Sequence, residues 1–128
     1  MDRYDPEVDR DAHDWLAVDE DERLLLVEGY HRDEKIDMPE AAQRMHACLH
    51  VAVENQLASH DKPVVQALDR LMREGLSRHD AVHAIACVVC EEVRDLLERN
   101  VAPRTASARY YADLERLTAA TWPRDNDD

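Results

Sequence analysis

Apolar residues recur every three to four positions along most of the chain, the period at which one face of an α-helix meets a core. Six segments carry this signature, separated by short breaks. Pro6 after Asp5 opens the first, which runs to about Ala17 with Val8, Ala12, Trp15 and Leu16 on one face. Asp19 and Glu22 form an Asp-headed capping box before a second helix, which extends to about His31 and aligns Leu24, Val27 and Tyr30. The third starts at Pro39 under an Asp37 cap and reaches about Ser59. Its stripe is Ala42, Met45, Leu49, Ala52, Val53 and Leu57, with Gln56 intruding. Asp61-Lys62-Pro63 opens a fourth helix that buries Val64, Val65, Leu68, Leu71 and Met72, and Gly75 ends it in a left-handed conformation. Ser77, with Asp80 three residues on, caps a fifth helix to about Arg99. Val82, Ile85, Ala86, Val89, Val93 and Leu96 make it the most apolar helix and the expected centre. Pro103 interrupts the pattern, and Thr105 to Ala120 supplies a last helix through Tyr110, Leu114 and Leu117. The expectation is an all-α, compact, bundle-like domain of five or six helices with short connections.

Composition agrees: 5% aromatic residues, no Phe, 2 Gly and 5 Pro among 128 residues, beside many Ala, Leu, Glu and Arg, point to helices, since strands lean on β-branched and aromatic residues. That length suits one domain, with a core from about residue 6 to 120 and acidic ends that fray. Sixteen Lys and Arg against 29 Asp and Glu give a formal charge of −13, and no basic block exists to neutralise phosphates, so nucleic acid is excluded as a partner. Apolar runs such as Leu24 to Val27 fall far short of the roughly 18 residues of a membrane span. The chain reads as soluble and cytoplasmic. No glycine-rich loop offers a nucleotide site. Cys48, Cys87 and Cys90 are odd in number and read as reduced thiols packed in the core.

Four of the seven histidines form two pairs at spacing four, His46 with His50 and His79 with His83. Residues four apart on a helix share a face, so two imidazoles can approach one ion without bending the backbone. Glu54 continues the first series as an alternate oxygen ligand or as a partner that orients a ring. His79-Asp80-Ala81-Val82-His83 is formally H-D-x-x-H, close to the zinc-binding H-E-x-x-H, but Asp80 is one methylene shorter and is also placed to cap its helix. On a helical wheel His50 and His83 lie toward the edges of their apolar stripes. Either the pairs meet on one ion, or each ring simply hydrogen-bonds a neighbour. His31 either adds a ligand or caps its helix end, and His13 and His60 read as solvent residues.

The stretches Trp15-Leu16-Ala17, Tyr30-His31-Arg32, His46 to Gln56 and Glu74 to Ile85 resemble a family of short bacterial proteins with a helical domain of unknown function. The similarity spans roughly Asp11 to Glu92 and is most specific around Glu54-Asn55-Gln56 and Arg78 to Ala84. It implies a small bacterial helical protein and transfers no catalytic residue. In that family the position of Asp80 is often Glu, so hydrolysis through Asp80 is further from the zinc-protease pattern here.

The functional expectation is a site for one divalent transition metal, zinc first, at His46, His50, His79, His83 and Glu54. If catalytic, its chemistry is metal-assisted hydrolysis with Glu54 or Asp80 handling the proton. The alternative is a metal-free interaction module that pairs as a homodimer or binds a basic protein through its anionic surface.

Overall fold

The computed structural model describes residues 3–9, 11–33 and 40–121, the side chains of 31–33 and 40–42 excepted. Among the described residues there are six helices and no strand: α1 (Ala12–Ala17), α2 (Glu20–Asp33), α3 (Glu40–Ala58), α4 (Lys62–Arg73), α5 (Arg78–Leu97) and α6 (Pro103–Arg116). The expected Asp37 cap, the Pro39 start and the connection before them lie outside the described residues, as do the side chains of Ala42 and His31.

α3 and α5 form the central contact, and each gathers further helices around itself: α1, α2 and α4 around α3, α4 and α6 around α5. Near one end of this contact His46 meets His83, while further along α3 Glu54 meets Arg78, so the two helices run antiparallel. The apolar interior divides into two clusters. One joins Val53, Leu71, Val82, Ile85, Val89, Tyr110 and Leu114 across α3 to α6, and the other joins Tyr4, Trp15, Val27, Ala47 and Val51 on the opposite flank of α3.

Helix ends follow local chemistry. Ser77 Oγ accepts from the Asp80 backbone N–H at 3.1 Å and caps α5. Gly75 has φ +110, the left-handed conformation expected of it after α4. Pro103 starts α6 instead of interrupting it, because the missing N–H of proline costs nothing in a first turn. That helix stops at Arg116, short of Ala120, where the hydroxyls of Thr118 and Thr121 bond each other and each accepts from the other residue's backbone N–H. Arg70 donates to the carbonyls of Leu114 and Leu117 at this end.

Two expected faces are corrected. α1 begins at Ala12 under an Asp11 cap, not at Pro6: Asp5 to Val8 form a turn in which the Val8 N–H reaches the Asp5 carbonyl at 3.1 Å and the Glu7 N–H reaches its carboxylate at 2.9 Å. Pro6 occupies the second position of that turn, which its fixed φ favours. Val8 and Leu16 are consequently exposed, whereas Tyr4, ahead of the expected core, is 1% exposed. On α3, Met45 is 57% exposed, while His50 and Glu54 are buried. Helices pack on several sides of α3, so its buried surface extends beyond the apolar stripe. Met72 and Leu96 also face solvent, and Gln56 accepts a hydrogen bond from Tyr110 Oη at 2.5 Å. Cys48 is exposed and Cys87 and Cys90 are half-buried, none of the three in a disulfide, so the expected core packing fails for Cys48.

No helix among the described residues is long and apolar enough to cross a membrane. Ile85 is fully buried in the larger cluster and Leu97 is 77% exposed. Urea denaturation is expected to show Ile85→Ala losing about 2–5 kcal/mol and Leu97→Ala changing stability by no more than about 0.5 kcal/mol.

Candidate metal centre

The period of an α-helix stacks His46, His50 and Glu54 along one line of α3, and the first two turns of α5 present Arg78, His79 and His83 to it. Antiparallel packing brings the two lines level. His46 Nδ1 lies 3.2 Å from His83 Nε2, and the His46 and His50 ring centroids are 4.6 Å apart. His46, His50 and His83 each offer a ring nitrogen, and all three atoms lie within 4.8 Å of one another. These side chains are therefore close enough together to hold a metal ion. Two nitrogens bound tetrahedrally to zinc at about 2.0–2.1 Å stand about 3.3 Å apart, so the His46 and His83 atoms already match one edge of such a site.

His79 sits beside this triad, outside the set of close ligand atoms. Its ring centroid is 5.5 Å from that of His50 and 6.0 Å from that of His83, and it meets Tyr30 edge-on at 5.6 Å. Its backbone N–H donates to Glu7 Oε1 at 3.1 Å, which holds the N-terminal segment against the start of α5. Asp80 is exposed at the same helix end. His13 and His60 are exposed, as expected of solvent residues.

Glu54 lies outside the set of close ligand atoms found among the described residues. Both its oxygens face Arg78, with Nη1 to Oε2 at 2.9 Å and Nη2 to Oε1 at 3.0 Å, and the two side chains are 4% and 2% exposed. Arg78 Nη1 also donates to the Pro6 carbonyl at 2.9 Å. Burial opposes the guanidinium charge, but the hydrogen bonds and negative charge of Glu54 outweigh it, and the Arg78 pKa ends above its ordinary value.

Tyr4 connects the pair to the triad. Its hydroxyl donates to Glu54 Oε2 at 2.7 Å and lies 3.2 Å from His50 Nδ1. A hydroxyl has one proton, and here it goes to the carboxylate, so the oxygen accepts from His50 Nδ1–H. Neutral His50 then carries its lone pair on Nε2. The carboxylate, the hydroxyl and the imidazole form the outer support that metal-binding histidines commonly have, with a tyrosine inserted into the chain.

Tyr4 and Arg78 are the residues that pattern reading missed. Tyr4 lies in a short acidic segment with no helical period, and Arg78 has the ordinary appearance of a charged residue in a first turn. The available signal was charge balance: a carboxylate on the inner line of α3 needs a buried cation, and Arg78 neighbours the histidine pair it must approach. No protein-family model, curated protein or solved structure matches the chain. Residue roles here consequently rest on geometry alone.

Glu54→Gln leaves Arg78 buried without its counter-charge, and a loss of about 3–5 kcal/mol in urea denaturation is the expected result. Arg94→Gln, in an exposed pair with Glu91, serves as the control and should cost less than about 1 kcal/mol.

Proposed function

We propose that this protein binds one divalent transition metal, zinc first among candidates, through His46, His50 and His83. The supporting observation is the convergence of three imidazole nitrogens from two helices within 4.8 Å. Imidazole sets of this kind suit Zn, Ni, Cu and Fe, and neutral ligands favour none of the hard, oxygen-seeking ions. The chain Glu54, Tyr4, His50 adds a second argument, since it orients one ligand before any ion arrives. Three protein ligands would leave one tetrahedral position, and His79 is the further imidazole nearest the triad among the described residues, 5.5 Å from His50 by ring centroid. Water in that position would provide the arrangement of metal-assisted hydrolysis, with its proton handled by a group other than the paired Glu54.

Protein purified without a histidine tag and exchanged with zinc is expected to hold about one ion per chain by elemental analysis. His46→Ala combined with His83→Ala should lose it, whereas His79→Ala should keep the stoichiometry. At a free zinc concentration of about 100 times Kd, the bound ion adds about 2.7 kcal/mol to stability. Tyr4→Phe removes the support of His50 and should weaken zinc binding by about 10- to 100-fold with the stoichiometry unchanged. Failure to take up Zn, Ni or Fe, or full retention of the ion in the double variant, overturns the reading.

A further inference from the structure

The segment ahead of α1 lies across α3 and the first turn of α5, against the histidine site. Its positions alternate: Tyr4 and Pro6 are buried, whereas Arg3, Asp5 and Glu7 face solvent. The Tyr4 ring meets those of Tyr30 and His50 edge-on, at 5.9 and 6.1 Å, and stands 6.0 Å from Trp15. Three hydrogen bonds fasten the segment to the helices: Tyr4 Oη donates to Glu54, Arg78 Nη1 to the Pro6 carbonyl, and the His79 N–H to Glu7 Oε1. Each has a side chain at one end or both, and the backbone bond from the Val8 N–H to the Asp5 carbonyl stays inside the segment. Attachment at a few side-chain points is weaker than the continuous backbone bonding of a helix, so this segment opens while the helices stay closed.

Opening bears directly on the triad. His50 is fully buried, whereas His46 and His83 are half-buried, so an ion from solvent meets the last two first. Tyr4 covers His50, and its hydroxyl accepts from His50 Nδ1–H, which leaves the lone pair on Nε2. When the segment lifts away, His50 loses this partner and both tautomers become accessible. Support of this kind is worth about 10- to 100-fold in metal affinity.

We propose that residues 4–7 form a strap that opens and shuts in the empty protein and is held shut once the histidine triad is occupied, a coupling that rests on the metal reading of that triad. The ion prefers the shut form by the factor that Tyr4 adds to its affinity. Linkage then requires occupancy to favour the shut form over the open one by the same factor, about 10- to 100-fold at saturation. Occupancy of the site is thereby displayed at the N-terminal segment.

Trypsin acting on the full chain tests this. Arg3 is exposed, but the bond after it leads into buried Tyr4, so cleavage there requires the open strap. Where opening and closing are fast relative to cleavage, the rate at this bond follows the open population. Arg99, exposed beyond the end of α5, provides the control bond. Mass spectrometry is expected to show saturating zinc slowing cleavage after Arg3 by about 10- to 100-fold relative to cleavage after Arg99. Tyr4→Phe keeps the ring and removes the hydroxyl, and in that protein saturating zinc should change the ratio by less than about threefold. A chain that takes up no zinc overturns the strap together with the metal reading. Uptake of zinc with an unchanged ratio in the native chain, or a Tyr4→Phe ratio that still shifts by the full factor, overturns the strap and leaves the metal reading standing.

Discussion

The buried ion pair of Arg78 with Glu54 holds together three parts of the chain that local propensity alone would leave independent. Glu54 comes from α3, Arg78 from the first turn of α5, and the Pro6 carbonyl and Tyr4 hydroxyl from a segment with no helix of its own. Taking a carboxylate and a guanidinium out of water is costly, and the geometry offsets that cost with two parallel hydrogen bonds and two further partners. An apolar pair of similar volume would pack as well, but it would hold neither Tyr4 nor Pro6 in place. The position of Tyr4, and through it the tautomer of His50, follows from this pair.

Helix existence was legible because it depends on short-range periodicity, and the spacing of His46, His50, His79 and His83 was legible for the same reason. Their meeting was not. Whether α3 and α5 run parallel or antiparallel depends on how α4 returns the chain between them, which no pattern inside either helix records. The antiparallel answer pairs His46 with His83 and leaves His79 beside His50, so the expected four-histidine set becomes a close triad with a neighbour. A helical wheel puts His50 on a flank because it assumes one buried face. α3 is packed from several directions, and His50 is fully buried. Tyr4 was hidden for a different reason: a turn built on Asp5 and Pro6 folds the segment back, and turns leave no periodic trace.

Charge distribution separates the surface from the interior. The formal charge of −13 is a property of exposed residues such as Asp9, Asp69 and Glu91, which set the long-range field around the protein. Among the described residues both buried acids are paired, Glu54 with the buried Arg78 and Asp95 with Arg99 and Arg109, which reach it from the surface. The negative exterior raises the local concentration of cations, whereas any selection among them falls to more sheltered groups. Imidazole nitrogens suit transition metals and not the hard, oxygen-seeking ions.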